Sequence, residues 1–164
     1  MTRLTAKDLN DMAQYATQDE LEYLTKLSYE LGSWRSFVMI GAGPGVMALA
    51  LMEGQNKNDP SHLHIIDIDE NRLNYTHKHL EAAEAPLWAV HYHHGNSYEV
   101  GMSWQGEISL LVVDGDHSYL GVMRDLVAWT PHLKSGGYIF LHDFYERPGG
   151  FQGVEEWKLG PVAD

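Results

Sequence analysis

The sequence has no cysteine and few basic side chains. Without cysteine, the 164-residue chain can form neither disulfides nor thiolate metal sites, which is typical of a cytoplasmic protein. Only 11 Lys and Arg stand against 23 Asp and Glu, giving a formal net charge of −12, so we expect no nucleic-acid partner. No apolar run reaches the roughly 18 residues of a membrane span, so we expect neither a membrane span nor a signal peptide.

Strand-like and helix-like patterns alternate along most of the chain. Short apolar runs occur in SFVMI, HLHIIDID, WAVHYHHGNS, EISLLVVDGDH and GGYIFLHDF, with helical spacing in the segments between most of them. This alternation predicts an α/β, Rossmann-like three-layer sandwich with a mainly parallel sheet of about five strands. The length predicts a single domain over 1–164, with an N-terminal helical segment at 1–32 and an α/β core at 36–158. Thr17 and Glu20 predict a capping box in that helical segment.

A glycine-rich turn, GAGPG, separates the first strand from its helix. Gly41, Gly43 and Gly45 allow a tight turn and close approach of a ligand to the main chain. Val46 stands where the dinucleotide fingerprint needs glycine, and no Lys-Ser/Thr pair follows, which excludes a P-loop. Glycines that serve packing alone are the competing interpretation.

An acidic residue ends the second strand. Asp67 lies 22 residues beyond Gly45, where a carboxylate can accept hydrogen bonds from both ribose hydroxyls of a nucleoside. The competing role is to cap or charge the first turn of the next helix. Asp69 and Glu70 suit that role better.

The fourth strand ends in Asp114-Gly115-Asp116-His117, a cluster that points to a metal, a cofactor or proton transfer, because ligands of open α/β sheets bind at the carboxyl ends of strands. Asp116 and Ser118 are also candidates to cap the following helix, which we favour for Asp116. His117 is about as well explained by packing in the loop as by a role as base. Asp114 could contact a cofactor without any metal.

Taken together, GAGPG, Asp67, HGNS and the string DGDHSYLGVMRDLVAWTPHLKSGGYIFLHDF resemble class I S-adenosylmethionine-dependent methyltransferases over roughly residues 20 to 158. The similarity is to the small O-methyltransferase branch and, more distantly, to catechol O-methyltransferases. It implies S-adenosylmethionine as cofactor. The implied cofactor-binding residues are Gly41, Ala42, Gly43, Gly45, Asp67, Ile68, Asn96, Ser97 and Asp114.

The resemblance also implies a divalent metal. In the metal-dependent relatives, acidic residues at the positions of Asp114 and Asp143 hold Mg²⁺, and some relatives have a third acidic ligand where this chain has His142. His117 occupies the position of a basic catalytic residue, so His117 and Asp114 are the implied catalytic pair. His142 is therefore the third candidate metal residue, although a histidine at a strand end is more often a hydrogen-bonded residue than a ligand. The histidines of HYHH at 91 to 94 favour a surface or an interface over a metal site.

The sequence thus predicts metal-assisted O-methylation of a small hydroxylated molecule; the alternative is a non-catalytic or partner-dependent S-adenosylmethionine-binding protein. An NAD-dependent oxidoreductase is disfavoured, because the third glycine and a Tyr-Lys pair are missing.

Compared with the usual seven-stranded sheet of such methyltransferases, the chain is expected to lack the last two strands, with GVEEWKL as the helix after the fifth strand. We therefore expect a homo-oligomer, since sheet edges are commonly covered. The loop YERPGGFQG is the candidate lid over the acceptor.

Overall fold

The computed structural model describes residues 3–143 and, beyond them, three two-residue strands. The helices of this part of the chain are α1 (Ala6–Ala13), α2 (Gln18–Leu31), α3 (Val46–Glu53), α4 (Glu70–Ala82), α5 (Ser97–Met102) and α6 (Tyr119–Trp129). The strands are β1 (Ser36–Ile40), β2 (His62–Asp67), β3 (Val90–His94), β4 (Ile108–Val113), β5 (Leu133–Leu141), β6 (Glu146–Arg147), β7 (Gly150–Phe151) and β8 (Trp157–Lys158).

The main sheet has the order β3-β2-β1-β4-β5-β8. Its first five strands are parallel, and β8 pairs antiparallel with β5, placing Trp157 opposite Ile139. The short strands β6 and β7 form a separate antiparallel ladder. The chain runs outward from β1 to β3 and then returns to place β4 on the other side of β1. This reversal makes the gap between β1 and β4 the switch point of the sheet, and the predicted Rossmann-like fold is confirmed.

Two apolar clusters lie on opposite faces of the sheet. The first joins side chains of α1, α2, α3 and α4 to Phe37, Met39 and Leu63. The second lies under α5 and α6 and includes Val38 and Trp129. All six residues of β4 are buried, as expected of a central parallel strand that is covered on both faces.

Helix α3 is apolar all round, which is typical of a fully enclosed helix. Its residues 46–52 are all buried, because α1 and α2 pack over the side that faces away from the sheet. The Ser28 hydroxyl of α2 donates to the carbonyl oxygen of Leu51 at 2.6 Å, which anchors the two helices to each other. No helix in the described ranges is long and apolar enough to cross a membrane.

Both N-terminal helices begin in capping boxes. The predicted box of Thr17 and Glu20 starts α2, and Thr5 and Asp8 form a second one that starts α1. In each box, the threonine hydroxyl accepts from a backbone N–H of the first turn while the acidic side chain accepts from the backbone N–H of the cap residue.

The structure corrects the sequence-based expectation at two places. The helix predicted over GVEEWKL is wrong at residues 157–158, which form β8. Strand β8 pairs with Tyr138 and Ile139 on the side of β5 that faces away from β4. The rest of that segment, and most of the proposed lid at 145–153, lie outside the described residues. Helix α5 was not predicted; it is too short to show a clear period and is capped by Asn96.

We expect Gly101→Ala to destabilise the protein by about 1–3 kcal/mol, because it overpacks the contact between α5 and α6. A Cβ atom at Gly101 would lie 2.8 Å from both the Ala128 Cβ and the Trp129 Nε1. Urea unfolding followed by tryptophan fluorescence measures the change. Gly95→Ala is the matched control, because a Cβ atom there would meet only the Val100 side chain at an ordinary 3.6 Å; an equal loss in both variants would contradict the packing argument.

Candidate functional site

The predicted site residues lie at the carboxyl ends of β1, β2, β4 and β5. In an open parallel sheet these ends share one edge, and ligands bind where the strand order reverses. Here the reversal lies between β1 and β4, which end at Ile40 and Val113.

The glycine turn after β1 is packed too tightly for side chains at two positions. Gly41 has φ +87°, and a Cβ there would lie 2.1 Å from the carbonyl oxygen of Asp114. Gly43 has φ +49°, and its Cβ would meet the Tyr15 ring at 2.6 Å. Packing therefore accounts for both glycines, and the same contacts hold the turn directly beside the end of β4.

Asp67 is buried, and both of its carboxylate oxygens accept backbone hydrogen bonds. Its Oδ2 accepts from the Ala42 N–H and its Oδ1 from the Asp69 N–H, each at 2.8 Å. Asp67 thus ties the glycine turn to the end of β2. Each carboxylate oxygen can accept a second bond, so the group remains able to bind hydroxyls. Asp69 caps α4 as the sequence predicts.

A cleft of about 320 Å³ opens beside this turn. It brings together five of the predicted cofactor-binding residues: Gly41, Asp67, Ile68, Asn96 and Ser97. Ala42 is buried behind them, and Gly45 serves as the N-cap of α3. Gly115 and Asp116 close the side of the cleft formed by the end of β4.

Asn96 and Ser97 also have structural roles at the start of α5. The Asn96 side chain accepts from the Tyr98 N–H at 3.0 Å, and the Ser97 hydroxyl donates to Asp125 at 2.5 Å. Burial raises the pKa of the Asp125 carboxyl. These bonds fix both residues at the rim of the cleft.

Arg72 lines the same cleft and was missed by sequence reasoning. It lies in the first turn of α4, on the same side of the cleft as Asp67 and Ile68. The sequence did contain a signal for this role. Arg72 follows Asp67 by five residues, which places a long cationic side chain in the first turn of the helix after β2.

Behind the cleft, the buried Asp114 carboxylate lies between Tyr15 and His142. The Tyr15 hydroxyl donates to Oδ2 at 2.7 Å, and His142 Nδ1 lies 2.9 Å from Oδ1. These two atoms form a close ion pair when the imidazole is protonated, and neither has another hydrogen-bond partner in the described part of the chain. The Tyr15 ring stacks parallel to the imidazole, with centroids 5.8 Å apart.

Asp143 and His117 lie on the solvent side of this group. Asp143 Oδ2 is 3.4 Å from His142 Nδ1 and 3.8 Å from His117 Nδ1. Asp143 has φ +56°, a left-handed conformation that aspartate tolerates better than most residues. The structure thus brings Asp114, His117, His142 and Asp143 together, as the sequence predicts for strand ends that share one edge.

Burial and charge act in opposite directions on the histidine of this cluster. Burial lowers the pKa of His142, but the adjacent Asp114 carboxylate, with Asp143 and Glu20, raises it above its usual value overall. Burial, reinforced by the Asp114 charge, also raises the pKa of the Tyr15 hydroxyl, which stays protonated as a donor. Glu20 of the capping box reaches this cluster, with Oε1 3.9 Å from His142 Nε2.

The described side chains do not fit Mg²⁺ in this arrangement. Mg²⁺ prefers six oxygen ligands and keeps several waters, whereas the Asp114 side chain has no exposed surface and meets an imidazole nitrogen and a tyrosine hydroxyl. Among residues 3–143, no three His, Asp or Glu side chains are arranged to hold one ion. The magnesium site stays a prediction from the resemblance.

A second, smaller pocket lies between the ends of β4 and β5 and the start of α6. It is walled by Val113, Val122 and Leu141 and rimmed by Tyr119, His117, His142 and Asp143. A mainly apolar wall with four titratable groups at its mouth suits a small organic molecule that carries a polar group. Ser118 caps α6 and Asp116 accepts from the Ser118 N–H at 2.9 Å, so both serve the turn before this helix.

Residues 38–144 match the model of a family described as a methyltransferase domain. No curated protein matches the sequence. Many solved structures are similar, among them a Corynebacterium glutamicum protein with 18% identity and a TM-score of 0.69, covering 85% of this chain and 65% of that one.

Two further similar structures are O-methyltransferases. TomG from Streptomyces achromogenes, involved in tomaymycin synthesis and solved with S-adenosylmethionine, has 12% identity and a TM-score of 0.70, over 85% of this chain and 64% of its own. The Bacillus cereus O-methyltransferase, solved with S-adenosylhomocysteine, has 14% identity and a TM-score of 0.65, over 86% and 65%. At these identities the likeness shows the fold. The present chain spans slightly less than two thirds of each of these proteins.

We expect Tyr15→Phe to lower the free energy of unfolding by about 1–3 kcal/mol, because it leaves a buried carboxylate oxygen without its donor. Chemical denaturation measures the change. Tyr29→Phe removes a hydroxyl from a side chain that is 75% exposed and should have little effect. Equal stability of Tyr15→Phe and wild type would show that the hydroxyl does not support Asp114.

The raised pKa of His142 predicts a pH-dependent contribution to stability. A group whose pKa is higher in the folded state stabilises fully below its unfolded pKa, about 6.5, and loses this contribution as pH rises through the folded pKa. The stability difference between wild type and His142→Gln should therefore be larger at about pH 6 than at about pH 9. A difference that is constant, or that grows with pH, would contradict the assigned direction.

Proposed function

Because the chain belongs to the methyltransferase domain family, we propose that it is an S-adenosylmethionine-dependent methyltransferase that methylates the oxygen of a small hydroxylated molecule. The observation that carries the proposal is the cleft beside the glycine turn, where Asp67 lies with Ile68, Asn96 and Ser97. Its neighbour, the apolar pocket of about 80 Å³ beside His117 and His142, is the proposed place for the reacting part of an acceptor.

The cofactor assignment rests on the chemistry of the cleft. Asp67 keeps acceptor capacity for ribose hydroxyls, and the exposed Ile68 offers an apolar surface next to it. The Asn96 and Ser97 groups at the opposite rim can meet a base edge. Arg72 can attract a negatively charged group of the ligand. This set of donors, acceptors and apolar surface suits a nucleoside.

Bound S-adenosylmethionine supplies an electrophilic methyl group, and the protein must hold and deprotonate the acceptor. The methyl group would pass from the cofactor sulfur to the acceptor oxygen, so the hydroxyl proton of the acceptor would have to be taken up by a protein group. His117 is the proposed base, because its ring is about half exposed at the mouth of the acceptor pocket and lies near the Asp143 carboxylate. Asp114 is proposed to act indirectly, by holding the His142 and Tyr15 side chains in position.

Metal assistance remains a prediction of the resemblance. Because the described carboxylates do not fit Mg²⁺, the proposed step uses protein groups alone. A small-molecule acceptor, a homo-oligomer and a cytoplasmic location likewise belong to the proposal. These three statements rest on the sequence, and the geometry of the Asp114 cluster gives no evidence about them.

The first experiment is calorimetric titration of S-adenosylhomocysteine into the purified protein, with Mg²⁺ and with a chelator. We expect saturable binding in both, weakened about tenfold or more, roughly 1.4 kcal/mol, in Asp67→Asn. Asp69→Asn is the matched control, because Asp69 caps α4 two residues away and asparagine caps equally well.

Two outcomes would contradict the proposal. Absence of binding in wild-type protein would show that the glycine turn and Asp67 serve the fold only. Binding without methyl transfer to any of a panel of catechols, phenols and sugars would favour the non-catalytic or partner-dependent alternative. If methyl transfer is seen but is lost with the chelator, the metal-free step is wrong and the magnesium prediction stands.

A further inference from the structure

Four histidines lie on one face of the edge of the sheet, away from the cleft. His62 and His64 alternate along β2, and His91 and His93 along β3, so all four side chains point to the same side. We call this set the histidine ladder. All four are partly exposed, whereas Ile66, further along the same face of β2, belongs to the core under α5 and α6.

The ladder consists of two cross-strand pairs of ring nitrogens. His62 Nδ1 lies 2.9 Å from His91 Nε2, and His64 Nδ1 lies 3.1 Å from His93 Nε2. The middle rings of the two pairs, His64 and His91, stack with centroids 4.6 Å apart. The imidazoles therefore form a continuous stack across the two strands.

Two tryptophans bound the ladder. Trp88 meets His62 edge-on with centroids 6.1 Å apart, and Trp104 meets His64 edge-on at 4.8 Å. Trp104 also contacts His93 at 5.5 Å. These aromatic contacts keep the imidazoles gathered on this face of the sheet.

Burial keeps most of the ladder in the neutral form. It lowers the pKa of His64 to about 3, with further lowering by the neighbouring histidines, and it lowers the pKa of His91 and His93 in the same direction. Neutral imidazole is the form that binds metal ions, so these rings need not lose a charge before they bind one.

We propose that the histidine ladder binds a divalent transition-metal ion, held by one cross-strand pair of imidazoles with water as the other ligands. Two nitrogens bound at right angles at about 2.05 Å lie about 2.9 Å apart, so the strands already hold the nitrogens of each pair at a separation close to that of a chelate, and the rings need only turn about their side-chain bonds to aim both lone pairs at the ion. The site is a two-imidazole chelate, since no three described side chains converge on one ion. Imidazole ligands favour copper, nickel and zinc over magnesium, with copper bound most tightly.

The protons balance without a change in charge. In each metal-free pair, one ring donates its N–H to the nitrogen of the other. When the ion takes both facing nitrogens, the donating ring carries its proton on its other nitrogen instead, through exchange with solvent. Both rings stay neutral, and the complex keeps the charge of the ion.

The test is titration of the full-length protein with Cu²⁺, and separately with Zn²⁺ and Mg²⁺, followed by tryptophan fluorescence and calorimetry. Because Trp88 and Trp104 contact the ladder, bound Cu²⁺ should quench their emission, while Mg²⁺ should leave it unchanged. The variants are the pairs His62→Asn with His91→Asn and His64→Asn with His93→Asn. His94→Asn is the control, because His94 is the last residue of β3 but its ring contacts the carbonyl oxygen of Ile68 instead of the ladder.

The proposal requires that at least one pair variant loses Cu²⁺ binding while His94→Asn retains it. Equal binding in all variants, or no saturable binding in wild type, would overturn it. If a pair variant fails to fold by circular dichroism, electron paramagnetic resonance of wild-type protein with one equivalent of Cu²⁺ decides instead. Splitting from two or more imidazole nitrogens supports the proposal, and an oxygen-only signal refutes it.

Discussion

The buried carboxylate of Asp114 is the constraint around which the site is arranged. A charged group with no exposed surface must be stabilised by neighbours, and here these come from distant parts of the chain: the Tyr15 hydroxyl after α1 and the His142 ring after β5. The main-chain oxygen of the same residue lies where a side chain at Gly41 would be. One residue thus fixes the N-terminal segment, the glycine turn and the last parallel strand relative to one another.

The sequence predicted the fold and the family correctly, because both are encoded in local patterns and motifs; the site at the carboxyl ends of the strands stays a prediction. Apolar runs that alternate with helical segments indicate a parallel sheet. In such a sheet, all strands end at the same edge. Asp67, Asp114 and Asp143 are therefore brought to one region by topology alone. The methyltransferase resemblance is confirmed by the family match over residues 38–144. The chemical role of each residue stays a prediction.

What the sequence did not predict depends on contacts between distant residues or on very short elements. Tyr15 reaches Asp114 across 99 positions, and nothing in its own surroundings marks it as part of the site. Helix α5 and strand β8 are too short for a period to be recognised, and β8 forms because β5 offers a side to pair with. The imidazole of His142 faces the Asp114 carboxylate. This orientation is set by side-chain packing and therefore cannot be predicted from the residue type.

The long separation between Tyr15 and Asp114 also has a consequence for the order of folding. Contacts between residues far apart in sequence form late, because a large loop must close before they give any stabilisation. The capping boxes of α1 and α2 let these helices begin locally, and α1 can pack on α3 without β4, but the Tyr15 hydroxyl can meet Asp114 only when β4 lies beside β1. We therefore expect the contact that closes the N-terminal segment over the glycine turn to form late in folding.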